Sequence, residues 1–167
     1  MVNPDSPQFL MPRPLFRLAL LHLDIPQNCG AAIRLAACLG AGLDLIGPLG
    51  FAWDEARVRR VAMDYFDLVQ PTLHTSWAAF LNAYPGSRLI LLTTRGSTLY
   101  SDFAYRENDI LLLGSESMGA PPEAHRWAAA RVFIPLKAGA RSLNLVTAAA
   151  IVLSEAQRQL RGMGQEA

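Results

Sequence analysis

Lysine is nearly missing from this sequence: of 15 basic residues, only Lys137 is not an arginine. Against 14 acidic residues the formal net charge is +1, so overall charge does not single out a polyanion binder. Cysteine is scarce as well. Cys29 and Cys38 are nine positions apart within one expected helix. At about 3.6 residues per turn that spacing puts them on roughly opposite sides, which excludes a disulfide between them. Three scattered histidines, His22, His74 and His125, form no cluster with ligand spacing, so no metal is expected. No run reaches the ~18 apolar residues of a membrane helix. Leu18 to Leu23, after Arg13 and Arg17, is short, broken by His22, and has no small-residue cleavage site, which excludes a signal peptide. A soluble, cytoplasmic protein is expected. Two nucleotide signatures are also absent, the Gly-x-Gly-x-x-Gly fingerprint and the Gly-x-x-x-x-Gly-Lys-Ser/Thr loop.

What is present describes an ordinary globular chain. It has 167 residues, 51% hydrophobic and 17% charged, enough for one core and short for two. Residues 1–14 carry four prolines and read as a flexible leader. Residues 15–162 read as a single domain and 163–167 as a tail.

Along that domain, apolar runs alternate with helix-like segments. Strands are expected at 18–23, 43–46, near 68–70, 89–93, 110–113 and 131–134. Helices are expected from Cys29 to Leu39 with Asn28 as N-cap, from Asp54 to Ala62, from Ser76 to Ala83, and from about Leu143 to Leu160. This alternation implies an α/β fold with a mostly parallel sheet and helices on both faces. In such folds the ligand sits at the carboxyl ends of the strands, so the loops after Leu23, Thr93, Leu113 and Ile134 are the places to look.

Three of those loops have suggestive chemistry. Gly114-Ser-Glu-Ser-Met-Gly119 brackets a tight turn with two glycines and puts Glu116 at its tip; a plain strand-to-helix turn fits equally. In Ile134-Pro-Leu-Lys-Ala-Gly-Ala-Arg-Ser-Leu-Asn-Leu145, Ser142 and Asn144 fall at the start of the last helix, where free backbone donors collect, and Ser142 could be its cap. In Pro26 to Arg34, Arg34 lies mid-helix among small and apolar residues and needs a partner, either a bound phosphate or a local carboxylate. A fourth segment, Arg57, Arg59 and Arg60 with Asp64-Tyr65 close behind, is a charge run of the kind that usually forms the solvated face of a helix.

Taken in order, these loops resemble the SPOUT superfamily of RNA methyltransferases. The matching stretches are Ile25 to Arg34, Leu113 to Gly119, and Ile134-Pro135 with Arg141-Ser-Leu-Asn-Leu145. Within the superfamily the chain resembles the single-domain tRNA (cytidine/uridine-34) 2′-O-methyltransferases, through Gly50-Phe-Ala-Trp-Asp54, Arg59-Arg60, Asp64-Tyr65 and Leu92-Thr-Thr94. The resemblance implies a C-terminal trefoil knot and a homodimer. It also implies S-adenosylmethionine as cofactor, and the anticodon loop of tRNA as substrate. Carried over by position, it puts Leu92, Gly114, Ile134 and Ser142 at the cofactor, and Arg34, Asn28, Glu116 and Asn144 at the reacting centre. Arg57, Arg59, Arg60 and Arg141 would contact RNA.

Overall fold

The computed structural model describes residues 13–163, so most of the expected leader and the end of the expected tail lie outside the described residues. Seven strands form one sheet: β1 (Arg17–Leu21), β2 (Gly42–Ile46), β3 (Thr72–His74), β4 (Leu89–Leu92), β5 (Thr98–Leu99), β6 (Ile110–Leu113) and β7 (Ala130–Phe133). Their order across the sheet is β3-β2-β1-β6-β4-β7-β5, and every neighbouring pair is parallel. The helices are α1 (Pro26–Leu39), α2 (Glu55–Ala62), α3 (Trp77–Ala83), α4 (Pro122–Trp127) and α5 (Leu145–Met163), with a 3-10 turn at Met63–Asp67.

Strand alternation explains why the runs are apolar throughout. Leu18, Leu20, Leu111, Leu113 and Ile90 face one core, whereas Ala19, Leu21, Ile110, Leu112 and Leu91 face the other. A strand covered on both faces has no polar side to show. Helices α1 and α5 close the first core with the same spacing: Cys29, Ala32, Ile33 and Ala36 on one, Ala149, Val152, Leu153 and Ala156 on the other. Trp77 and Phe80 of α3 and Ala124 of α4 close the second. Cys29 is buried, its thiol pushed up to about 12 by that burial, while Cys38 is exposed, and both are free. No helix among the described residues is long and apolar enough to cross a membrane.

Four sequence expectations need correcting. Helix α1 begins at Pro26, so Asn28 is not its N-cap but lies buried in its first turn. The edge strand expected near 68–70 is at Thr72–His74, because residues 63–67 wind into the 3-10 turn that ends at Leu68. The last helix starts at Leu145, not Leu143, and its cap is Asn144 rather than Ser142: Asn144 Oδ1 accepts from Val146 N at 2.9 Å and Thr147 N at 3.2 Å. The local carboxylate offered as one partner of Arg34 is not there: the residue is exposed, no acidic group among the described residues lies within 4.0 Å of it, and its guanidinium is 5.1 Å from the centre of the Tyr65 ring. Two elements had no sequence signal. Strand β5 has two residues and α4 has six, too few for either period to register. Asp54 accepts from Arg57 N at the start of α2, and Ser76, with which the third expected helix was to begin, caps α3 by accepting from Ala79 N.

Candidate active site

At the carboxyl edge of the sheet, the loops after β1, β4, β6 and β7 surround a cavity of about 440 Å³. Leu92, Gly114, Ile134 and Ser142 all line it, and so do Asn28, Glu116 and Asn144. The side chains missed by sequence reasoning, chiefly Ile25, Thr93, Leu136, Leu143 and Ala148, are chain neighbours of those residues. The rule that ligands sit beyond strand ends could have located them; nothing in their residue types does.

Hydrogen bonds tie the loops together. The Glu116 carboxylate accepts from Asp24 N at 2.8 Å, Ile25 N at 3.3 Å and Asn28 Nδ2 at 2.7 Å. It therefore does at the N-terminus of α1 what a local capping side chain would do, at the positive end of the helix dipole. Asn28 Oδ1 in turn accepts from Asn144 Nδ2 at 3.1 Å, and Asn144 caps α5. This Glu116–Asn28–Asn144 relay fixes both amide orientations and joins three loops. In the opposite direction, Asp24 Oδ2 accepts from Ser117 Oγ at 2.6 Å and Ser117 N at 3.1 Å, which holds the Asp24 carboxyl below the ordinary carboxylate range. Glu116 has no cation within 4.0 Å among the described residues.

Glycine is required where the backbone packs closest. A Cβ on Gly114 would run into the backbone of Gly119 and Ala120, one on Gly96 into that of Val132, and one on Gly50 would meet Asp24. The turn from Ser115 to Gly119 is closed by paired backbone bonds of 3.1 and 2.9 Å, with Gly119 at φ 69°. On the opposite wall, the backbone of residues 134–136 and 141–143 has no hydrogen-bond partner among the described residues. Helix α5 supports the β5–β6 connection from beneath. Gln159 accepts from Tyr105 N at 3.1 Å and donates to Phe103 O at 3.0 Å.

The expected arginines are dispersed. Arg34 does not line the cavity. Arg57, Arg60 and Arg141 are exposed, while Arg59 is held by Glu55 at 3.0 Å and Asp67 at 2.7 Å over the Phe66 ring.

A parallel sheet with a partly apolar cavity at its carboxyl edge defines an α/β protein of the kind that holds small ligands at its strand ends. Comparison makes this specific. The chain belongs to the SpoU rRNA methylase family, whose profile matches residues 15–154. A tRNA (cytidine(34)-2′-O)-methyltransferase of Beijerinckia indica is 48% identical over 150 residues, covering 89% of this chain and 94% of its own. A solved structure described as "Structural insights into the 2-OH methylation of C/U34 on tRNA" superposes with a TM-score of 0.82 at 42% identity, covering 88% of this chain and 97% of that one. An AdoMet-bound rRNA methyltransferase from Sinorhizobium meliloti gives 0.78 at 30% identity, covering 87% of this chain and 56% of that one.

Proposed function

We propose that the chain transfers a methyl group from S-adenosylmethionine to the ribose 2′-hydroxyl of the wobble nucleotide of tRNA, a cytidine or uridine at position 34. The observation that carries this reading is the Glu116–Asn28–Asn144 relay, bound into the wall of the same cavity that Leu92, Gly114, Ile134 and Ser142 line. The 48% identity to a methyltransferase of that specificity supports it.

The residues present fit the cofactor. A cavity of about 440 Å³ lies in the range of small-molecule sites. Leu92, Ile134, Leu136 and Leu143 offer apolar walls to a nucleoside ring, and the unpaired backbone of 134–136 can exchange hydrogen bonds with a base edge. When bound, S-adenosylmethionine supplies an electrophilic methyl on a sulfonium. The protein's part is alignment: displacement needs an in-line nucleophile, and the relay keeps three loops from shifting against one another. Each relay amide has one N–H left for a ligand.

A ribose hydroxyl must lose its proton as it attacks, and the neighbouring phosphate is proposed to take it. Arg34 is proposed to hold the neighbouring phosphate and stabilise the developing negative charge, since a guanidinium acts by charge rather than as a base. As Arg34 does not line the cavity of its own chain, this role calls for a second copy, and a homodimer is proposed on that ground. The C-terminal third is proposed to be knotted, with α5 tucked under the 93–109 segment that Gln159 grips. A crystallographic trace that comes undone when both ends are pulled would overturn that point.

The decisive test is nucleoside mass spectrometry of anticodon-loop fragments after incubation with purified protein and cofactor. A 2′-O-methyl group on nucleotide 34 is expected. Methylation confined to another nucleotide, or none at all, would overturn the assignment. Mixing Arg34→Ala with Glu116→Ala protein should restore activity through hybrid dimers; no recovery would sink the cross-subunit role of Arg34.

A further inference from the structure

A second cavity, of about 760 Å³, opens beside the first and shares the 115–120 turn with it. None of the chemistry assigned so far uses it. Arg95, Arg126 and Arg131 line it together with His22 and His125. The three arginines come from three separate segments: the loop after β4, the last turn of α4, and β7. All three are exposed, and among the described residues none has a carboxylate within 4.0 Å. The one carboxylate on the wall, Asp24, already accepts both the hydroxyl and the amide of Ser117.

Compare Arg59, Arg88 and Arg158, each of which is paired to an acidic side chain. Guanidinium groups gathered on one cavity without acidic partners repel one another, and a polyanion relieves that repulsion. Their planar forks match phosphate oxygens. A strand carrying one phosphate per nucleotide offers each of these three cationic groups an anion of its own. Apolar surface is at hand for its bases. Met118 on the wall is 86% exposed, and Trp127, next to Arg126, is 60% exposed.

We propose that this second cavity binds the RNA backbone next to the nucleotide being modified, with Arg95, Arg126 and Arg131 on its phosphates. The inference rests on the methyltransferase reading, because the shared turn lets one strand cross from the second cavity into the first. It also moves the main phosphate contacts away from the helix that carries Arg57, Arg59 and Arg60.

The test measures tRNA binding by fluorescence anisotropy over a salt series, with cofactor binding followed by calorimetry. Arg126→Ala and Arg131→Ala should each weaken tRNA binding about tenfold and lower the salt slope by about one, at unchanged cofactor affinity. Unchanged cofactor affinity also reports that the variants are folded; if an alanine variant fails that check, Arg126→Lys and Arg131→Lys should keep the slope while weakening binding less. Trp127→Ala should weaken binding with no change in slope. Wild-type affinity and slope in the Arg126→Ala/Arg131→Ala double variant would overturn the inference while leaving the methyltransferase reading intact. Wild-type protein that bound neither cofactor nor tRNA would overturn both.

Discussion

Two carboxylates, Asp44 and Glu116, each gather three hydrogen-bond donors, yet they serve opposite ends. Asp44, fully buried on β2, is met by Arg17 Nε at 2.6 Å, His74 Nε2 at 2.8 Å and the Tyr84 hydroxyl at 2.8 Å. Its neighbours are cationic or aromatic and it lines neither of the two cavities described above; Phe80 packs edge-on against both His74 and Tyr84. Glu116 is half-buried and held by two backbone amides and one side-chain amide, all neutral, on the wall of a cavity. A carboxylate neutralised by its own protein stabilises packing. One held by dipoles alone keeps its charge for whatever enters.

The contrast can be broken at either end. The largest effect is expected from Asp44→Ala, which leaves Arg17 and His74 without their acceptor: urea unfolding should show a loss of about 3–5 kcal/mol, with cofactor affinity of the folded protein unchanged. A loss under 1 kcal/mol would mean the network is ornamental. Next, Glu116→Ala should cost only about 1–2 kcal/mol of stability, as a lost cap does, but slow methyl transfer about 100-fold. Equal damage to stability and rate at both positions would erase the distinction.

Smaller effects sharpen it through pH. Tyr84 is pushed up to about 12, first by burial and then by its bond to Asp44. A raised phenol pKa favours the protonated fold. Its stabilisation is complete below about pH 10 and is lost as pH climbs toward 12. Tyr84→Phe should therefore flatten part of the alkaline limb of a melting-temperature profile, though not all, since burial raises Tyr105 as well. An unaltered limb would disprove the assignment. Asp24, by the cavity, is shifted the other way. Its stabilisation is present above the ordinary carboxylate range and fades as pH falls through and below it. In Asp24→Asn the acid limb should be shallower, by the smallest margin of the four, because the group is exposed. A limb as steep as wild type would count against the Asp24–Ser117 tie.

Much of this was legible in the residues. Apolar runs of four to five residues separated by capped helices announce a parallel sheet, and Asp54 and Ser76 mark helix starts because capping there is local, within three residues. The failures share a cause in distance. Pro26 can open α1 without a local cap because it has no N–H to satisfy, and Glu116, 91 positions away, accepts from the amide of the N-cap residue Ile25. A local carboxylate was one partner expected for Arg34 because Ala31, Ala32 and Leu35 around it are all small or apolar, and only the packed helix shows that Ala32 faces the core while Ala31 and Arg34 face out. Glu116, Ser142 and Asn144 drew notice from their own loops, but their grouping with Asn28 came through resemblance, since no spacing rule links Asn28 to Asn144. The basic cavity was invisible, because its three arginines are separated by 31 positions, from 95 to 126, and a further five to 131, with nothing local to relate them.

The bonds of the relay span 88 and 116 positions of chain. No nascent fragment short of Asn144 can close the pocket, however well its first strands have folded. Capture of the proposed cofactor is thereby reserved for molecules whose synthesis has passed that asparagine, because a product truncated before it lacks one wall of the pocket.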